Sequence, residues 1–185
     1  GNGTDALQIA IMSLNLKQGD EVIIPAFSYV SVIEVVCILG LAPVLVDIDP
    51  LTFNLDPKKI EGALSSKTKL IIPVHLFGQN SDMESIMNIA KKSNIFVIED
   101  VAQSINSSIT FSNKKKYNSG TIGNIGCVSF FPTKNLSCYG DGGAIITNNS
   151  SLAKKISMIK NHGQTKKYFH NIIGMNSRLD TLQAA

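Results

Sequence analysis

The stretch "KLIIPVHLFGQNSDMESIMNIAKKSNIFVIED", residues 69–100, reads as strand, helix, strand. "KLIIPVHL" (69–76) is a short apolar run of the kind that forms a buried strand. "SDMESIMNIAKKS" (81–93) begins with acidic residues, which a helix N-terminus favours. "IFVIED" (95–100) is a second buried strand, and it ends in two carboxylates, Glu99 and Asp100. Two strands joined through a helix belong side by side and parallel.

The same alternation extends both ways. Upstream, "TDALQIAIMSLNL" (4–16) spaces Leu7, Ile11 and Leu14 as a helix does, with Thr4 or Asn2 available as its cap. "EVIIP" (21–25) is a strand stopped by proline, and "SYVSVIEVVCILG" (28–40) a helix ending at Gly40. "APVLVDID" (42–49) is the next strand, and "DPKKIEGAL" (56–64) a helix with an Asp cap and proline in its first turn. Downstream, "GCVSFF" (126–131) and "GGAIITN" (142–148) are strands, "SSLAKKISMIKN" (150–161) is a helix, and "NSRLDTLQAA" (176–185) opens another. The reading is an α/β fold, a mostly parallel sheet with helices on both faces. Ligands of such sheets gather at the carboxyl ends of the strands, where Pro25–Ala26, His75, Asp100 and the loop after Phe131 fall.

Composition narrows the classes. Hydrophobic residues make up 44% and charged residues 17% of the 185 residues, which supports a sizeable core and excludes disorder. The net charge is +3, but the densest basic run is only "NKKKY" (113–117), without the interleaved aromatics of a stacking platform; no nucleic-acid partner is expected. Cys37, Cys127 and Cys138 lack CxxC spacing, so neither a zinc site nor a disulfide framework is expected, and all three read as packing residues. No apolar run reaches the roughly 18 residues of a membrane span, and no signal peptide is visible. A cytoplasmic setting is the expectation. "NGT" (2–4) matches a glycosylation sequon and is read as chance. Arg178 is the only arginine among 17 basic residues, which singles it out for a two-pronged contact that lysine cannot supply.

Three features carry chemistry. "GNGTDAL" (1–7) sets glycines before a helix start, an anion site in outline, although neither GxGxxG nor GxxxxGK[ST] is present. "VIEDVAQS" (97–104) ends a buried strand with Glu99 and Asp100, which must point to opposite faces, so only one can reach a given ligand. "SFFPTKNLSCYGDGGAI" (129–145) presents Lys134 in a strand-end loop, where it could bind phosphate or form an imine with an aldehyde. A phosphate cradle, a strand-end acid and a lysine loop together match the needs of pyridoxal 5'-phosphate.

With "GDEVIIPAFSYVS" (19–31) and "NHGQTKKYFHNIIGMNSRLDTLQAA" (161–185), these stretches resemble the DegT/StrS family of nucleotide-sugar aminotransferases over the whole chain. The resemblance implies the large domain of fold-type I pyridoxal-phosphate transferases, with a seven-stranded type of sheet, over residues 1–185. It also implies truncation at both ends and the absence of a C-terminal small domain. Carried onto this chain, Lys134 is the imine-forming lysine and Asp100 the partner of the pyridine nitrogen. Gln103 lies near the ring hydroxyl, and Tyr29 stacks on the ring. Backbone N–H groups of Thr4 and Asp5, with the Ser129 hydroxyl, hold the phosphate. Asn176 reaches the phosphate in the partner subunit of a homodimer, with Arg178 close by on the substrate side, and Tyr168, Phe169 and His170 form a contact surface. The implied reaction moves an amino group from an amino acid, glutamate, to a nucleotide-linked keto sugar. "NGTDALQI", "VDIDPLTFNLDP" and "CYGDGGAI" are most similar to the branch acting on UDP-2-acetamido-3-oxo-glucuronate in surface polysaccharide biosynthesis; a 4-keto or another 3-keto nucleotide sugar is the alternative. No metal is implied. Two other classes stay open: a nucleotide-binding domain without pyridoxal phosphate, and a catalytically silent regulatory or scaffold relative.

Overall fold

A computed structural model describes residues 1–185. In chain order the elements are α1 (Gly3–Ser13), β1 (Glu21–Pro25), α2 (Ser31–Ile38), β2 (Ala42–Val46), α3 (Pro57–Ala63), β3 (Thr68–Ile71), a 3-10 turn (Leu76–Gly78), α4 (Met83–Ser93) and β4 (Phe96–Asp100). There follow β5 (Ser108–Thr110), β6 (Lys116–Asn118), β7 (Ile125–Ser129), β8 (Gly143–Ile146), α5 (Ser150–Ile159), β9 (Gln164–Lys166), β10 (Phe169–His170) and α6 (Thr181–Ala184). The main sheet runs β2-β1-β3-β4-β7-β8. Its first five strands are parallel, and β8 returns antiparallel to β7.

The sheet has six strands, not the seven implied by resemblance. The four remaining short strands pair with each other as two hairpins, β5–β6 and β9–β10, and leave the main sheet as it is. Strand residues alternate between two cores, as the two-residue period requires. Val22, Ile24, Leu70, Ile72 and Ile98 face the core under α1, α2 and α5. Ile23, Ile71 and Val97 face the second core, with Ile60 of α3 and Met83, Ile86 and Ile89 of α4. Helices on both faces follow from successive apolar residues in the central strands, such as Val22–Ile24 and Val97–Ile98.

Local chemistry sets the helix ends. Asn2 caps α1 by accepting from Asp5 N at 2.8 Å, and Asp56 caps α3 ahead of Pro57. Asp82 caps α4, which closes on left-handed Asn94. The α2 helix starts at Ser31, three residues later than its sequence pattern predicts, and Cys37 is exposed instead of packed. Val32, Val35 and Val36 are the α2 residues that meet the sheet, and Cys37 turns past that stripe. No helix is long and apolar enough to cross a membrane.

Candidate functional site

The parallel strands β1, β3, β4 and β7 end on the same side, and a cleft of 570 Å³ opens there. Seven of the nine site residues expected from the sequence line it: Thr4, Asp5, Tyr29, Asp100, Gln103, Ser129 and Lys134.

One end of the cleft is the start of α1. The first N–H groups of a helix lack partners within it. Asp5 N is already taken by Asn2 Oδ1, whereas Gly3 N and Thr4 N make no hydrogen bond. The free donors are therefore those of Gly3 and Thr4, shifted one residue back from the expected Thr4 and Asp5 pair. The Asp5 carboxylate is held by Ser177, whose hydroxyl donates to Oδ2 at 2.7 Å. Ser129, the last residue of β7, is close: a Cβ on residue 3 would fall 2.7 Å from the Ser129 Cβ. Gly3 is thus required for the helix start to sit against β7. Gly143 allows the same approach from β8, since a Cβ there would lie 2.5 Å from Asn2 O.

The other end is the edge of β4. Asp100 is buried, and its Oδ1 accepts from Ala102 N at 2.9 Å. Burial pushes its carboxyl above the usual carboxylate range, opposed by the Ala102 N–H and then by nearby His75 and Lys134. Cys127, paired with Asp100 across the sheet, lines the cleft as a thiol pushed well up by burial, and by the nearby Asp100 and Glu99 carboxylates. Glu99 faces the opposite way, as the strand period demands. It is fully buried with His75 at 3.0 Å. His75 stands at a strand end as expected, but it packs inside and does not line the cleft.

Gln103 is oriented by the backbone. Phe77 N donates to its Oε1 at 2.7 Å, so the amide NH₂ is the end left to donate. Phe77 adopts φ +56°, a left-handed conformation costly for an aromatic residue, at the turn that makes this contact. Tyr29 is 70% exposed at the cleft wall. Lys134 is half-buried in a loop that folds back on itself through Phe130 N to Gly142 O (2.8 Å) and Cys138 N to Phe130 O (2.7 Å). Gly142 permits this fold, because a Cβ there would be 2.5 Å from Cys138 Sγ. Asp141 and Thr133 also line the cleft. Sequence reading passed over both, although each lies within the quoted lysine loop.

Asn176 and Arg178 stand apart. Neither lines the cleft, and both are exposed. Ser177 between them is buried against Asp5, which turns its neighbours outward. The β9–β10 hairpin is also exposed, with Lys166 over the Phe169 ring and Lys167 over Tyr168.

A basic side chain, a buried acid and an unpaired helix start in one cleft suit a flat, phosphate-bearing ligand with a basic ring nitrogen and an electrophilic carbon. Fold and cleft together are those of a fold-type I transferase sheet. The aminotransferase from Psychrobacter cryohalolentis superposes with a TM-score of 0.92 at 36% identity, covering 100% of this chain and 48% of that one. The ntda structure from Bacillus subtilis "with bound cofactor pmp" gives 0.89 at 41% identity, over 99% and 41%. The profile of the DegT/DnrJ/EryC1/StrS aminotransferase family matches residues 1–185, and the chain belongs to that family. UDP-2-acetamido-2-deoxy-3-oxo-D-glucuronate aminotransferase of Pseudomonas aeruginosa is 54% identical over 184 residues, 100% of this chain and 50% of that protein. A pleiotropic regulatory protein of Geobacillus stearothermophilus is 50% identical over 188 residues, 100% and 48%. The chain spans about half the length of the curated relatives it matches.

Proposed function

We propose that residues 1–185 form the cofactor-binding large domain of a pyridoxal-phosphate aminotransferase acting on a nucleotide-linked keto sugar. Its substrate in this reading is UDP-2-acetamido-3-oxo-glucuronate, with glutamate as amino donor. The observation that carries the reading is the meeting of Lys134, Asp100 and the α1 start beside Ser129 in one cleft. The cofactor, when bound, supplies a carbonyl for amines and a protonated ring that draws off electrons.

The chain's own residues then have distinct tasks. Gly3 and Thr4 N–H groups with the Ser129 hydroxyl hold the phosphate. Asp100 keeps a proton on the ring nitrogen, because a buried anion strongly favours a cation beside it. Gln103 donates its NH₂ to the ring oxygen, and Tyr29 covers one ring face. Lys134 attaches the cofactor through its amine. With its amine free, Lys134 would be the general base that takes a proton from the donor's Cα and the acid that returns it. Each site is completed by a second copy of the chain, whose Asn176 contacts the phosphate and whose Arg178 contacts the sugar nucleotide. Their outward placement supports this arrangement.

The sugar assignment is supported by the Pseudomonas aeruginosa relative. The regulatory name of the Geobacillus stearothermophilus relative motivates a silent alternative. Borohydride reduction with pyridoxal phosphate, followed by peptide mass mapping, tests the chemistry: the pyridoxyl mass is expected on the peptide containing Lys134. Attachment elsewhere, or nowhere, would refute it. Assay against a panel of nucleotide keto sugars tests the substrate.

A further inference from the structure

Asp100 depends on a second carboxylate that the reaction itself does not use. Glu99 is fully buried, yet all its acceptor sites are filled. Its Oε2 accepts from Gly120 N at 2.9 Å and stands 3.0 Å from His75 Nε2. Its Oε1 accepts from Ile122 N at 2.8 Å and Gly123 N at 2.7 Å. The His75 proton is located by its neighbours. Ser81 N donates to Nδ1 at 3.1 Å, and the Ser81 hydroxyl donates to Val74 O at 3.1 Å. Nδ1 is therefore the acceptor, and the ring proton sits on Nε2, aimed at Glu99.

This cluster clamps the chain around Asp100. His75 N donates to Asp100 O at 3.0 Å, and Asp100 N donates to Pro73 O at 2.9 Å. The segment 73–75 thus pairs with Asp100 on its main chain while the His75 ring is tied to Glu99. The loop 120–123 is gathered on the same carboxylate. With Glu99 anchored on one face of β4, Asp100 is held toward the other, into the cleft. We infer that Glu99 and His75 are positioning residues for Asp100, a buried carboxyl group and a ring N–H donor that fix the acid meant for the cofactor ring.

The inference rests on the proposed pyridoxal-phosphate site. Glu99→Gln is nearly isosteric, but whichever way its amide turns, the NH₂ meets two N–H donors: His75 with Gly120, or Ile122 with Gly123. His75→Leu removes the donor to Glu99. His75→Gln keeps one neutral acceptor and one neutral donor in the same reach. Pyridoxal phosphate affinity of the purified protein, read by visible absorbance, is measured for these variants alone and combined with Asp100→Asn, beside thermal melts of each apo-protein. Expected are losses of roughly tenfold for Glu99→Gln and His75→Leu, shrinking to under about twofold when Asp100 is already Asn, with His75→Gln within about threefold of wild type. Equal losses in both backgrounds, or none in either, overturn the inference while leaving the proposed function in place. If Glu99→Gln does not fold, the His75→Leu and His75→Gln comparison decides. A wild-type protein that binds no pyridoxal phosphate overturns both readings.

Discussion

The cleft and the segment 161–178 are built on opposite terms. In the cleft several groups are fixed from behind: Asp100 by Ala102, Gln103 by Phe77, the Lys134 loop by its internal backbone bonds. In the outer segment the backbone is anchored just as firmly. Met175 N donates to Ile159 O, Ser177 N to Lys160 O, and His162 N to Met175 O. Its side chains are different: Asn176, Arg178, Tyr168 and Phe169 point into solvent, and Arg178 has no ion-pair partner. A firm backbone presenting unpaired side chains resembles half of a contact. In the proposed reading the cleft holds its residues for a ligand of its own, and the outer segment presents its residues to a second copy of the chain.

Breaking the cleft is expected to have the largest effect. Lys134→Ala removes the only lysine lining it and is expected to abolish both turnover and borohydride trapping, while far-ultraviolet circular dichroism stays native. Persistence of either activity would move the chemistry to another residue.

Asp100→Asn comes next. It removes a buried charge-assisted contact, worth about 1.5–3 kcal/mol, or roughly 10- to 150-fold in cofactor affinity. The same change is expected to act oppositely on the apo-protein. Because burial raises the Asp100 pKa, the folded chain keeps that proton to higher pH than the unfolded chain does. Stability therefore falls as pH rises from the ordinary carboxylate value through the raised one, and stays lower above it. The apo Asp100→Asn protein is expected to melt above wild type at neutral pH and to lose that advantage in acid. Melting curves across pH check the sign.

The outer segment is tested by mixing. Lys134→Ala and Asn176→Ala proteins, each inactive, are expected to regain about a quarter of wild-type activity after equal mixing and full exchange, since half the dimers are mixed and half of their sites intact. Full exchange without recovered activity contradicts a shared site. Arg178→Lys is expected to raise KM for the sugar nucleotide several-fold, with cofactor affinity unchanged, because a point charge replaces a planar fork. The smallest effect belongs to Cys37. Since it is exposed, Cys37→Ser is expected to change stability by no more than about 0.5 kcal/mol by denaturant titration.

Much of this was legible in the chain. The strand runs at 21–25, 42–49 and 95–100 announce themselves by their short apolar stretches, and the structure has strands at Glu21–Pro25, Ala42–Val46 and Phe96–Asp100. The grouping of Lys134, Asp100, Gln103 and the α1 start was also readable, since parallel strands bring all their carboxyl ends to one side. Short-range signals misled where a residue's environment is set at long range. Cys37 looks apolar and helical, yet its exposure depends on which stripe of α2 meets the sheet. The hairpin β5–β6 escaped notice because "NKKKY" has no apolar alternation, and its order comes from Phe111 stacking on Tyr117 and from Glu84 holding Ser112.

The sequence by itself determined the alternation of the main-sheet strands and the helices that cover them, and the residue types gathered at the carboxyl ends of those strands. These follow from periodicity and from the rule that buried surfaces are apolar. The family resemblance picks Asp100 over Glu99, but only the tertiary structure shows why Asp100 is the one that faces the cleft. Glu99 and Asp100 are equal candidates by type, and what holds Glu99 away from the cleft is donors brought from afar: the His75 ring and the N–H groups of Gly120, Ile122 and Gly123. Such donors come from residues 21 to 24 positions away along the chain, so no local pattern encodes the choice.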